Sequence, residues 1–362
     1  MLFQDRPIEN IKDLYNREKE LENLKKSMKE RAITLVVGFR RTGKTSLIKV
    51  ASSDFNVIYI DARKFEAENY ITYRNLMEEF AKGLNSLIPK YKKILDFLKN
   101  ITSVRIHEFS VEFLWKKERV SIASILDELN RWAEKDGERL IIVIDEVQEL
   151  IKLKGFNLIP VIAYVYDNLR NISFVFAGSK IGMLYNFLKI DNSSSPLYGR
   201  YMERIEINPL SREQSMDFLI KGFAENNIKP NEKILEKAVE ELDGIIGWLS
   251  YFGLMALREG LNEKTLNIVL DSASKIVINE FCNFVKSRNS RRYIEILKAT
   301  KSGASWSEIK RYLEIKTGEK IYDYELTRLL RNLIDSAFIE KKDNLYTIPD
   351  PILRYAVNKI SC

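Results

Sequence analysis

The stretch Gly38-Phe39-Arg40-Arg41-Thr42-Gly43-Lys44-Thr45 fits the phosphate-loop pattern G-x-x-x-x-G-K-[ST] at every fixed position. Its flanks settle how it folds. Ile33 to Val37, just upstream, is an apolar, β-branched run that predicts a buried strand. Downstream, Thr45 to Ala51 continues as a helix with Leu47, Ile48 and Ala51 inward. A strand that becomes a helix through a glycine-framed loop gathers the amides of residues 41 to 45 into one concavity. The helix N-terminus adds partial positive charge there. Gly38 and Gly43 permit the backbone angles such a loop needs. Lys44 would bridge the β- and γ-phosphates, and the Thr45 hydroxyl would take one position on Mg2+. Arg40, Arg41, Thr42 and Ser46 complete the candidate phosphate-binding set. The pattern implies a nucleotide site.

A second constellation lies about 100 residues on, at the usual distance for such a loop's catalytic partner. Leu140-Ile141-Ile142-Val143-Ile144 predicts a strand buried on both faces, followed by Asp145 and Glu146. Ligands bind at the carboxyl ends of strands in open parallel sheets, where the loop also sits. Asp145 would hold Mg2+, largely through its water shell, because Mg2+ dehydrates reluctantly. Glu146 is placed to polarise the water that attacks the γ-phosphate. A further strand, Ile172 to Phe176, ends at Gly178-Ser179-Lys180, and Ser179 is the candidate at that tip to contact the γ-phosphate. Arg200 and Arg204 follow the polar loop 191–199, and Arg200 is the candidate to neutralise transition-state charge, in cis or from a neighbouring subunit.

Composition excludes several other classes. The 362 residues are 45% hydrophobic and 30% charged, which describes a globular chain with room for two or three domains. No apolar run approaches the ~18 residues of a membrane span, and Met1 to Pro7 has no signal-peptide core, so a cytoplasmic protein is expected. With Cys282 and Cys362 the only cysteines, no disulfide framework is expected, and His107, the sole histidine, argues against zinc and against Ser-His-Asp chemistry. Abundant Lys, Glu, Ile and Tyr suggest a thermophilic source. The net charge of +7 is spread along the chain, which permits nucleic-acid contact without arguing for it.

Around these motifs the periodicity is mostly helical. Asn16 reads as the N-cap of a helix with Leu21, Leu24 and Met28 on one face. Asn56 to Asp61 predicts a second strand, residues 69–98 helix broken at Pro89, and 102–113 a hairpin of no legible purpose. Pro209 ends the first domain. Ser211-Arg212-Glu213-Gln214 is a capping box that opens a helical region interrupted at Gly244 to Gly247. Residues 263–285 add one or two helices. From residue 287 the rhythm changes to three helices and a hairpin with an Asp343-Asn344 turn, a winged-helix arrangement. Its candidate recognition helix, Ile321 to Ser336, carries Arg328 and Arg331 against Asp323, Glu325 and Asp335, a net of −1. A phosphate-tracking helix should be basic, so DNA is not the favoured partner.

These residues resemble the archaeal ATPase family, within the STAND branch of AAA+-related NTPases. The resemblance is carried by Tyr15 to Leu21, the phosphate loop, Ile144 to Leu150, Ala177-Gly178-Ser179, Leu197 to Arg200, Ile207 to Ser211 and Tyr346 to Pro351. It implies an α/β P-loop core, with the catalytic-glutamate strand inserted between the phosphate-loop strand and its neighbour in order 5-1-4-3-2. A helical lid and a winged helix would follow, giving boundaries at 1–209, 210–286 and 287–362. It also implies that Tyr15, Asn16 and Arg17 line the adenine pocket, that Ser179 is the first sensor and that the turn at 244–247 closes over the nucleotide. Similar proteins often carry proline in that turn, where this chain has Ile246. The expected protein binds ATP or ADP with Mg2+, hydrolyses slowly, and uses nucleotide state to move lid and winged helix for a protein partner. A nucleotide-gated DNA-binding regulator is the second reading. A GTPase or small-molecule kinase ranks last, since no Asn-Lys-x-Asp segment is present and Asp145-Glu146 suits water activation.

Overall fold

Three strands are apolar enough to be buried at every position, and they form the middle of a five-stranded parallel sheet. The computed structural model describes residues 1–115, 120–288 and 290–362. Across the sheet the strands run Asn56–Asp61, Leu140–Asp145, Ile172–Gly178, Ile33–Val37 and Glu203–Glu206. The three in the centre are fully buried, whereas Asn56–Asp61 alternates and Glu203–Glu206 buries only Ile205, as edge strands do. Numbered in chain order, the five read 5-1-4-3-2. One expectation is corrected here. The strand lying between the phosphate-loop strand and the glutamate strand is Ile172–Gly178, paired to both, and the glutamate strand sits one place further out beside Asn56–Asp61. Register puts Val37 opposite Gly178 and Asp145 opposite Asp61, so the polar tips of four strands meet along one edge.

Helices cover both faces. Glu18–Glu30 and the loop helix Lys44–Ser52 bury Leu24, Met28, Leu47 and Ile48 against Val36, Val143 and Val175. Tyr73–Leu87, Ile122–Asp136 and Ile159–Asn168 pack on the other face with Phe80, Leu129, Trp132 and Ile162. The hairpin Val104–Ile106/Val111–Phe113 extends this layer. Its register is fixed by Asn85, which donates to the Val111 carbonyl at 3.0 Å and accepts from the Val111 amide at 2.8 Å.

The helices from residue 212 onward form one body. Arg212–Ala224 starts on the capping box of Ser211 and Gln214; Glu232–Leu242, Ile246–Glu259 and a single long helix, Glu263–Arg288, follow. Helices Arg292–Ala299, Trp306–Thr317 and Asp323–Asp335 with a three-stranded sheet make the winged helix. Asp343 and Asn344 take φ of 47° and 67°, which closes the wing as a primed turn. Segments 210–286 and 287–362 share one hydrophobic core, joined where Phe281 and Phe284 of the long helix meet Phe338. The cysteines overturn the expectation of no disulfide. Cys282 and Cys362 are bonded, with Cα atoms 5.5 Å apart. Eighty positions of sequence separation hid this pairing, which exists because the last helix, Pro351–Ala356, returns along the long one. Among the described residues no helix is long and apolar enough to cross a membrane.

Candidate nucleotide site

A cavity of about 460 Å3 opens at the carboxyl edge of the sheet, walled by the loop, the strand tips, the N-terminal segment and the helical body. The loop supplies its floor. Gly43 sits in the left-handed region, with φ 96°, which turns the strand sharply into the helix that Lys44 begins. Lys44 is buried and donates from Nζ to the carbonyls of Gly38 at 2.9 Å and Phe39 at 2.6 Å. Burial pushes its ammonium down to about 8, against the pull of Glu146 and Asp145. A cation held in so dry a place gains strongly from an incoming anion.

The strand tips add oxygen and carboxylate. Thr45 Oγ1 donates to Asp145 Oδ2 at 2.8 Å, and Tyr59 donates to the same oxygen at 2.8 Å. Burial and the adjoining Glu146 raise the Asp145 carboxyl above its usual range. Thr45 and Asp145 are hard oxygen donors of the kind Mg2+ takes, and a cation there would draw its other ligands from phosphate and water. Glu146 follows with φ 51°, a strained angle for a side-chain-bearing residue that turns its carboxylate back into the cavity. Its Oε2 accepts from Ser179 Oγ at 2.7 Å and Gln148 Nε2 at 2.5 Å. Burial would raise this carboxyl, but the Lys44 charge and these hydrogen bonds outweigh it and hold it below its ordinary value. Glu146 is therefore an ionised carboxylate beside the Lys44 ammonium.

An ATPase domain predominantly from Archaea matches residues 14–252, about two-thirds of the chain. The chain belongs to this family of archaeal ATPases. The C-terminal winged helix-turn-helix domain of MCM proteins matches residues 287–348. The Walker-type ATPase PABY2304 of Pyrococcus abyssi is similar over 99% of this chain and 100% of its own, at 35% identity and TM-score 0.84. The Aeropyrum pernix ORC2 protein, solved as ADPNP-ADP complexes, shares the fold over 99% of this chain and 96% of its own, at 14% identity and TM-score 0.61. No curated protein matches significantly.

Of the site residues expected in this ATPase, Arg40, Arg41, Thr42, Gly43, Lys44, Thr45, Ser46, Glu146, Ser179, Tyr15, Arg17 and Ile246 line the cavity. Gly38 and Asp145 are buried and do not line it themselves, Asp145 reaching it through Thr45. Three others lie elsewhere. Asn16 takes φ 51°, does not cap its helix, and faces a separate groove with Asp217 and Lys221. Arg200 lies away from the cavity, where its guanidinium pairs with Asp167 at 2.6 Å and reaches over the Tyr166 ring. Arg204 likewise pairs with Glu206 at 3.1 Å. Sequence proximity to the loop at 191–199 suggested Arg200, but it precedes the strand Glu203–Glu206 and so lies toward the amino edge of the parallel sheet, opposite the cavity. Tyr15 and Arg17 touch the cavity; Tyr15 ties it to its roof by donating to Asp217 at 2.5 Å, and Arg17 donates to the Asn208 carbonyl at 2.6 Å.

Residues that sequence reasoning missed form a strap. Gln4, Asp5, Arg6, Pro7 and Ile8 cross the cavity in extended and turn conformations. Both ends are anchored. The Ile8 amide donates to Ser46 Oγ at 3.0 Å, and Gln4 exchanges two 3.1 Å hydrogen bonds with Ser250. Phe3 then plugs into the helical body against Phe218 and Phe223, over Gly253, where a Cβ would come within 2.5 Å of its ring. Phe3→Leu should keep the fold but cost about 1 kcal/mol, read as a lower thermal midpoint. Arg63 was also missed, although it stands two residues past a strand tip; it holds Asp61 at 2.6 Å and lies 4.0 Å from Asp145.

Proposed function

We propose that this ATPase binds Mg-ATP in the cavity, hydrolyses it slowly, and uses the difference between ATP and ADP to shift its helical and winged-helix body against the core. The observation that carries the reading is the convergence of Lys44, Thr45 and ionised Glu146 at one end of a cavity roofed by that body, with Asp145 hydrogen-bonded to Thr45. The loop amides and Lys44 hold the phosphates. Glu146, oriented by Ser179 and Gln148, takes a proton from the attacking water. Bound Mg2+ would neutralise developing charge on the phosphate oxygens. The roof is coupled to the floor directly: the Gly247 amide donates to the Arg41 carbonyl at 2.9 Å, and Ile246 packs over Gly43. Because 210–286 and 287–362 share a core and a disulfide, they would move together. Phosphate binding should raise the Lys44 pKa from about 8, so nucleotide binding takes up a proton above that pH. Affinity should accordingly weaken as pH rises through 8, toward about tenfold per unit, measured by titration at pH 7, 8 and 9. Turnover of the purified protein with and without duplex DNA tests the reading. Slow turnover indifferent to DNA supports a switch for a protein partner, and rapid DNA-stimulated turnover contradicts it.

One observation favours the second, DNA-binding reading. The acids that made the recognition helix net negative are engaged: Asp323 by Lys310 at 2.7 Å, Glu325 by Arg292, and Asp335 by Asn186 of the core at 3.0 Å. Arg328 and Arg331 are exposed and have no carboxylate partner among the described residues. Duplex affinity with a steep salt slope, lost in Arg328→Ala, would establish this reading.

A further inference from the structure

Two arginines of the phosphate loop share one carboxylate from the far end of the chain. Arg40 Nη1 lies 2.6 Å from Glu280 Oε2, and Arg41 Nη2 lies 2.6 Å from Glu280 Oε1. Glu280 belongs to the long helix Glu263–Arg288, which continues into the winged helix, and it lines the cavity with Lys44 and Glu146. We propose that Arg40 senses the γ-phosphate and that Glu280 is its resting partner, so that ATP and the long helix compete for one guanidinium.

This rests on the ATP-binding reading above and adds what reports the third phosphate. Arg41 is unsuited to that task. Its guanidinium lies over the Trp248 ring at 4.3 Å, its carbonyl accepts from Gly247, and its free edge faces Asp350 at 3.9 Å. Held on these sides by the helical body, it is an anchor. Arg40 has no partner besides Glu280 among the described residues, and it lies close enough to Lys44 and Glu146 to feel their charges. Among the described residues the helical body brings no cation of its own to the cavity: it contributes Phe218, Ile246, Gly247, Ser250 and the carboxylate of Glu280. A carboxylate facing a polyphosphate is repelled by it unless arginine stands between. The two loop arginines hold the Glu280 carboxyl below its ordinary value despite burial, so it stays ionised and opposes each added phosphate charge. ADP leaves the Arg40–Glu280 pair intact. The γ-phosphate attracts Arg40 and repels Glu280, which gives the two nucleotides different contacts with the body, as any ligand-driven shift requires. Arg41 retains the second Glu280 oxygen, so the long helix is loosened without being released.

The test compares ADP and a non-hydrolysable ATP analogue by calorimetric titration of the full chain with Mg2+. Arg40→Ala should lower analogue affinity by ~10- to 100-fold, the worth of a charge-assisted hydrogen bond, with ADP affinity changed less than about threefold. Arg40→Lys, which keeps the charge on a comparable stem, should fall between. Glu280→Gln should raise analogue affinity relative to ADP, and this gain should vanish when combined with Arg40→Ala. Equal losses for both nucleotides in Arg40→Ala, or a Glu280→Gln effect that persists without Arg40, overturn the competition while leaving ATP binding standing. A wild-type chain that binds neither nucleotide overturns the ATP-binding reading, and this inference with it.

Discussion

Glu146→Gln should bind ATP as the wild type does and lose turnover by about 10²- to 10⁴-fold, the usual contribution of a positioned general base. The amide keeps the volume and can still accept from Ser179, which holds the side chain at 2.7 Å now. What it lacks is the ability to take a proton. The wild-type carboxylate is ionised in a buried place because Lys44, Ser179 and Gln148 face it. Removing its charge also relieves the repulsion that raises the neighbouring Asp145 carboxyl, so the metal-side residue should not be weakened. Steady-state phosphate release measured beside equilibrium binding separates the two effects. A glutamine variant that still hydrolyses would refute the role given to Glu146.

Lys44→Ala should reduce nucleotide affinity by about 10²- to 10³-fold, because a desolvated ammonium makes charged hydrogen bonds worth roughly 1.5–3 kcal/mol each to more than one phosphate. Stability should move the other way. The ammonium titrates near 8 in the fold and at 10.5 in the unfolded chain, so below pH 8 its charge opposes folding. Its removal therefore leaves the thermal midpoint unchanged or higher while binding collapses. A simple structural lysine would show the reverse: lower midpoint, modest change in affinity. Calorimetric titration and thermal unfolding of the same variant distinguish them.

What was legible in the sequence was chemistry carried by contiguous residues. The loop, Asp145-Glu146 and Ser179 are each read from a few adjacent positions at a strand tip, and the sheet brings those tips to one edge. The capping box at Ser211 and the Asp343-Asn344 turn are equally local. What was hidden depends on distant parts meeting. The strap from Gln4 to Ile8 has no motif of its own and is placed by Phe3 fitting against Gly253, 250 positions away in sequence. Glu280 reaches the loop only because the long helix passes over it, and Cys362 finds Cys282 only through the returning last helix. Charge pairing is hidden for the same reason: a count on the recognition helix cannot say that Asp323 and Glu325 are already paired.

Nucleotide state should set the position of the helical and winged-helix body. The most direct measurement is the distance between spin labels on the core, at Glu134→Cys, and on the wing, at Lys341→Cys, both exposed positions. It should be taken by pulsed electron paramagnetic resonance with ADP and with a non-hydrolysable ATP analogue. Two distinct distance distributions are expected, with the ATP-bound shift abolished by Arg40→Ala. One unchanged distribution in both nucleotides, at concentrations that saturate the site, would contradict it.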